Sequence, residues 1–209
     1  MTAPGGVCLE HPSRKSAPVI ERPAMSRTAL LSMDLQVNHL AHVPADYLPT
    51  AVRALETARA ARLPVIHVVL QLRPGHVDVH PRNKIFGSLP IHLFTADDPG
   101  AAIHPDVAPR GDEIVVYKNR VSAFAGNNLQ QILAAQDIDH LVLAGIATGG
   151  IVLSTALQAA DLDHRVTVLS DACADPDPDL HTNLMTKVFN RRGDVLTTKE
   201  WADTLTTDA

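Results

Sequence analysis

Four places in this sequence carry groups that could do chemistry at one edge of a sheet. Asp34 follows the apolar run Thr28–Met33, Lys118 follows Ile114–Tyr117, and Asp171 follows Val166–Ser170. The fourth is Leu141–Thr155 (LVLAGIATGGIVLST), which passes from an apolar strand through small residues into a helix start. A carboxylate and an ammonium can move protons and hold charge. The free N–H groups of a strand–turn–helix passage can hold an anion or oxyanion. Between Gly145 and Ser154 the only hydroxyl is that of Thr148, and no Ser, Cys or charged residue intervenes. A catalytic turn here would lack its nucleophile.

The elements that must position these groups alternate along the chain. Strands are expected at Thr28–Met33, Val65–Leu70, Ile114–Tyr117, Leu141–Ala144, Val166–Ser170 and Asp194–Thr197. Helices are expected from the face Val52, Leu55, Ala58 to Arg62, and over Asn127–Ala135, Ile151–Leu162 and Leu180–Phe189, with Thr198 capping a last one through Trp201. Apolar strands alternating with amphipathic helices predict a three-layer α/β/α, Rossmann-like fold, a parallel sheet with helices on both faces. Ligands of such sheets bind beyond the carboxyl ends of the strands, where Asp34, Lys118, the glycine turn and Asp171 would converge. Gln71 to Asp112 contains six prolines and no sustained period. A structureless stretch of that length reads as a functional lid or a partner-binding loop.

Composition narrows the class. A chain of 209 residues, 45% hydrophobic and 20% charged, suits one soluble domain, and only 3% aromatic content means a core of Ala, Val, Leu and Ile. A net charge of −5 with no basic run beyond two residues argues against a nucleic-acid partner. No apolar run approaches the roughly 20 residues of a membrane span. Cys8 and Cys173 give neither a disulfide framework nor a zinc pattern, consistent with a reducing cytoplasm. The first 25 residues hold four prolines and no apolar h-region, and read as a flexible arm before a domain over 26–209.

ALLSMDLQ (Ala29–Gln36), VVYKNRVSAF (Val115–Phe124), LVLAGIATGGIVLSTALQAADLD (Leu141–Asp163) and VTVLSDACAD (Val166–Asp175) together resemble the isochorismatase-like hydrolase superfamily, also called cysteine hydrolases. The resemblance runs from about Thr28 to Trp201 and implies a six-stranded parallel sheet in a homodimer or homotetramer acting on a small molecule. Most members hydrolyse amides through an Asp–Lys–Cys triad. Asp34 and Lys118 match the first two, and the turn pattern G-V-x-T-x-x-C-V sets Ile151 at the cysteine position. A non-proline cis peptide is typical of that turn and would lie near Ile146–Ala147. The resemblance also assigns Ala147, Thr148, Gly149 and Gly150 to an oxyanion or substrate site.

Ile151 removes the thiolate that forms the family's covalent intermediate. Isochorismatases offer another route, because they keep the aspartate and lysine without the cysteine. They protonate a vinyl ether and let water capture the oxocarbenium ion, so Asp34 would be the general acid and Lys118 its electrostatic partner. The alternatives are a non-catalytic binder and an amidase whose nucleophile is displaced, with Cys173 the candidate thiol. Cys173 reads more simply as a small buried cysteine. Arg73, Asn83, Lys84 and Arg120 could meet an anionic substrate, although each is more often a surface charge. Ser122 and Phe124 would support or wall the pocket. His76, Asp78 and His80 would share one face of a strand, and Asp78, His80 and His92 mimic the metal site of nicotinamidase-like relatives. That motif directly follows strand two, where this chain has Gln71, Leu72 and Arg73, so a solvated lid is expected and no metal or other cofactor is assigned.

Overall fold

A computed structural model of the chain describes residues 27–207. The expected arm over residues 1–25, and Cys8 with it, lies outside the described residues. In chain order the elements are β1 (Arg27–Met33), α1 (Val37–Leu40), α2 (Tyr47–Ala60), β2 (Val65–Leu70), β3 (Ile114–Lys118), α3 (Leu129–Ala135), β4 (Ile138–Ile146), α4 (Leu153–Asp161), β5 (Arg165–Ala174), α5 (Pro178–Lys187), β6 (Asp194–Leu196) and α6 (Thr198–Thr207). The six strands form one parallel sheet in the order β3-β2-β1-β4-β5-β6.

Strand side chains alternate between faces, so β1 feeds two cores. Ala29, Leu31 and Met33 pack with Ile66 and Val68 of β2 and with Leu129, Ala156 and Leu184 of α3, α4 and α5. Leu30 packs on the opposite face with Ala51, Ala54 and Leu55 of α2 and Trp201 of α6. Helices therefore cover both faces, which makes the central strands continuously apolar. Small alanines on α2 let that helix lie close to the sheet, and the scarcity of aromatics is absorbed by this close approach.

Several boundaries differ from the sequence expectation. Strands β4 and β5 are longer than expected because both continue past their apolar runs, with Gly145 paired to Cys173 and Ile146 to Ala174. Helix α2 starts five residues before the expected face, at Tyr47, with Pro49 in its first turn, where a missing N–H costs nothing. The helix expected from Ile151 begins instead with a wide π turn over Thr148–Val152. Thr197, not Thr198, caps α6 in a reciprocal capping box: its N–H donates to Glu200 Oε2 at 2.8 Å and the Glu200 N–H returns to Thr197 Oγ1 at 3.2 Å.

The stretch from Gln71 to Asp112 is not structureless. It contains three short 3₁₀ turns, and its Leu72, Phe86 and Phe94 form a satellite core with Leu70 of β2. Gln36 ties it to the sheet, donating to the carbonyls of Leu70 at 3.0 Å and Ala101 at 2.6 Å while accepting from Leu70 N–H at 3.0 Å. The HVDVH run is a tight turn rather than a strand, so its three polar residues do not share a face. His76 is buried with Nε2 on the Leu93 carbonyl at 2.9 Å, and Asp78 accepts from Arg73 N–H and Asn119 Nδ2.

Candidate active site

Register brings the two charged groups together. Met33 pairs with Val68, and Val68 with Val116, so Asp34 lies one residue beyond the level of Val116 while Lys118 lies two beyond it. The long lysine stem spans β2, and its Nζ sits 2.9 Å from Asp34 Oδ2. Nζ also donates to the Arg120 carbonyl at 3.1 Å. Asp34 leaves β1 with φ of 54°, a left-handed conformation that Asp tolerates better than most residues, while its N–H still donates to the Val68 carbonyl at 2.7 Å. Both residues are buried, at 4% and 2% exposure. Buried ion pairs contribute little net stability, because desolvation offsets the attraction. Asp34 Oδ1 is buried with no hydrogen-bond partner among the described residues. An unsatisfied buried carboxylate oxygen is costly to keep and calls for a physical reason.

The strand-to-turn passage lies beside this pair. Met33 is level with Gly145, whose backbone comes so close to β1 that a Cβ there would lie 2.3 Å from the Met33 carbonyl oxygen, so only glycine fits. The peptide Ile146–Ala147 is cis. Ile151 is 2% exposed and packs in the same core as Met33, Val68 and Phe124. A branched alkyl group thus joins the core beneath this edge of the sheet.

The turn expected to cradle an anion has much of its polarity engaged within the protein. Gly149 N–H donates to Asp175 Oδ2 at 2.7 Å, Gly150 N–H to the Ala147 carbonyl at 3.0 Å, and Thr148 Oγ1 shares a hydrogen bond of 2.8 Å with His181 Nδ1. Sequence reasoning missed Asp175 and His181, because nothing local links them to the turn. Asp171 does not join the site either. It faces α6, accepting from Thr198 N–H at 2.7 Å and from its hydroxyl at 2.9 Å.

The basic candidates divide. Arg120 donates to the carbonyls of Asn119 and Asp78, while exposed Arg73 lines a cavity of about 320 Å³ with Lys118, Asp78 and Asn119. Asn83 accepts from Ile85 and Phe86 N–H and shapes its own turn, and Lys84 is exposed. Phe124 belongs to the core and stacks on His164, with centroids 6.1 Å apart. Ser122 Oγ bonds Gln158 Oε1 at 2.6 Å. Cys173 is buried with Sγ near the Leu143 carbonyl at 3.6 Å, and burial pushes its thiol up to about 12. At neutral pH it carries no thiolate, and it lines a cavity with Tyr47, Asp175 and His181 rather than with Asp34.

A six-stranded parallel sheet of this order, covered by helices on both faces and carrying a buried Asp–Lys pair at its carboxyl edge, is an α/β scaffold of the isochorismatase-like kind. The chain matches the isochorismatase domain over residues 28–200, and it belongs to that family. It is 29% identical over 181 residues to the N-carbamoylsarcosine amidase of an Arthrobacter species, covering 85% of this chain and 69% of the relative. It is 27% identical over 195 residues to an Arabidopsis thaliana protein named a probable inactive nicotinamidase, covering 85% and 96%. An isochorismatase family protein of Burkholderia thailandensis superposes with a TM-score of 0.76 at 29% identity, over 86% of this chain and 95% of that one. The family is one of hydrolases, amidohydrolases among them.

Proposed function

We propose that this chain hydrolyses a small molecule by acid–base chemistry at Asp34, with no covalent intermediate on the protein. One observation carries the reading: a buried carboxylate paired to Lys118 at 2.9 Å whose second oxygen has no partner among the described residues. The chemistry that suits such a pair without a thiol is the vinyl-ether route. With Asp34 protonated from solvent when substrate is bound, its carboxyl gives that proton to the terminal carbon of the enol ether. A water then adds to the oxocarbenium carbon and returns a proton to the carboxylate. The resulting hemiacetal then collapses to a carbonyl compound and an alcohol. Lys118 holds the carboxylate in place and stabilises it after the proton has left.

Amide hydrolysis, as in the amidase relatives, would need a thiolate that Ile151 cannot supply and that buried Cys173 does not offer. A second reading, a non-catalytic member that binds a small molecule, draws support from the burial of an alkyl side chain at Ile151 and from the relative named inactive.

The test is a screen of vinyl ethers, amides and esters with the wild type and Asp34→Asn. Turnover of a vinyl ether that disappears in the variant supports the acid–base reading. No Asp34-dependent turnover of any class favours the binder. Gain of amidase activity by Ile151→Cys would show that the site lacks only its sulfur.

A further inference from the structure

Two buried polar atoms near the ion pair, Asp34 Oδ1 and His39 Nδ1, have no hydrogen-bond partner among the described residues. Each costs free energy while it stays unmet. Both are sealed from solvent, so neither a water nor a ligand reaches them where they stand. What can satisfy one of them is the other, because a ring N–H donates and a carboxylate oxygen accepts.

The chain keeps the two groups close. Helix α1 starts three residues after Asp34, and the N–H groups of His39 and Leu40 both donate to the Gln36 carbonyl at 3.0 Å. That tight turn returns the His39 ring to the neighbourhood of Asp34, where it interacts with the carboxylate and with the main chain. The other charged or titratable groups that act on the ring are Lys118 and His42. The ring also stacks on Phe94, with centroids 4.8 Å apart and planes at 27°. It lines a cavity of about 410 Å³ between α1 and the 71–112 segment, to which no Asp, Glu, Lys or Arg contributes. Burial draws the ring below the usual histidine range. Lys118 and His42 act in the same sense and Asp34 against them, so at neutral pH the ring is uncharged. A neutral imidazole keeps one N–H, which either nitrogen can carry.

We propose that His39 is the positioning residue of Asp34: its Nδ1–H turns onto Asp34 Oδ1, and the pair carries the proton that the sealed oxygen cannot take from water. This role rests on the Asp34 reading for the reaction and adds the route of the proton. A solvent proton joins the other ring nitrogen as the Nδ1 proton passes to Oδ1. That leaves a neutral imidazole in its second tautomer and a neutral carboxyl ready to protonate the enol ether. Between turnovers the transfer runs in reverse. Lys118 stays on Oδ2, so the two partners take one carboxyl oxygen each.

The experiment reads the His39 tautomer by long-range proton–nitrogen NMR of the isotopically labelled full chain at neutral pH, with His39→Phe identifying the resonance. The expected result is a ring protonated mainly on Nδ1, against the Nε2–H form that free histidine favours. The preference should vanish when Asp34→Ala is combined with Lys118→Met, which removes the acceptor without leaving a lone buried charge. An Nε2–H ring in the wild type, or an Nδ1–H ring that survives the double change, would overturn the proposal. Thermal unfolding checks the fold of each variant. Kinetics on an accepted vinyl ether give the second readout. His39→Phe can still stack on Phe94 but has no ring nitrogen, so kcat should fall about tenfold or more with KM within about twofold. His39→Asn, whose amide reaches the place of Nδ1, should regain part of the loss. Unchanged kcat in His39→Phe sinks the proton route. The tautomer is read without substrate, so the two ideas fail separately. An Nδ1–H ring tied to Asp34 with no Asp34-dependent turnover sinks only the catalytic reading. Asp34-dependent turnover with an Nε2–H ring sinks only the role of His39.

Discussion

Strand β3 has an ionic cluster at each end, and the two are built differently. Just before its first residue, Glu113 accepts from Arg59 Nε at 2.7 Å and Nη2 at 2.9 Å, from Arg110 N–H at 2.9 Å, and pairs with buried His67 Nε2 at 2.9 Å. Both its oxygens are occupied, and against the upward push of burial the Arg59 and His67 hydrogen bonds hold the carboxyl down at about 2. At the other end Lys118 meets Asp34 through one oxygen and leaves the second without a partner among the described residues. Satisfying every lone pair makes a cluster that holds structure together. Leaving one unsatisfied costs stability and keeps an atom free to act. His67 Nδ1 beside Glu113 is also buried without a partner among the described residues, so it is the unpaired carboxylate oxygen of Asp34, able to carry a proton, that sets its end of the strand apart.

Breaking each end separately should give opposite phenotypes. The largest effect expected is loss of turnover in Asp34→Asn, about 1,000-fold in kcat/KM for whatever vinyl ether the wild type accepts. Steady-state kinetics on protein with unchanged far-UV circular dichroism would check it, and a change under tenfold would put Asp34 outside the chemistry. Next, Glu113→Ala strips the partner from Arg59 and His67 and should lower unfolding free energy by about 3 kcal/mol, read from urea denaturation, while the folded fraction keeps its activity. Equal loss of activity would erase the distinction between the two ends.

Acid sharpens the same contrast. Glu113 titrates at about 2 in the folded protein, against a usual value of 4.5, so its contribution is present above the unfolded value and is lost as pH falls towards about 2. His67 is held below its usual 6.5, chiefly by burial, and the folded state therefore loses stability progressively as pH drops below that value. Thermal midpoints of the wild type should fall across both windows, and Glu113→Gln should flatten the lower one. The smallest effect belongs to a residue outside both clusters. Cys173→Ala should cost about 1 kcal/mol through lost packing and leave turnover as it was; loss of turnover would restore the displaced thiol as a candidate.

Much of the scaffold was legible before any coordinates. Apolar runs bounded by charged or small residues located all six strands, since strands covered on both faces must be apolar throughout. Asp34 and Lys118 stood out because each is the first charged residue after such a run. The readings that failed depended on groups distant in sequence. Asp171 looked like a site residue and instead binds Thr198, because β5 continues past it to pair with the end of β4. The histidine-rich run, expected in a solvated lid, would have shared one face had it been a strand, and is a turn anchored by Leu93. His39 carried no signal of its own, and only its stacking on Phe94 and its closeness to the ion pair single it out.

The order of residues determined the parallel sheet and its two apolar faces, because hydrophobic periodicity is a local property. Only the tertiary structure decided that an aspartate and a lysine on strands flanking β2 meet at 2.9 Å, that Asp175 and His181 engage the glycine turn, and that a neutral cavity opens beside His39. Those facts come from strand register and from the packing of the 71–112 segment against α1. Contacts between residues far apart in sequence fix both.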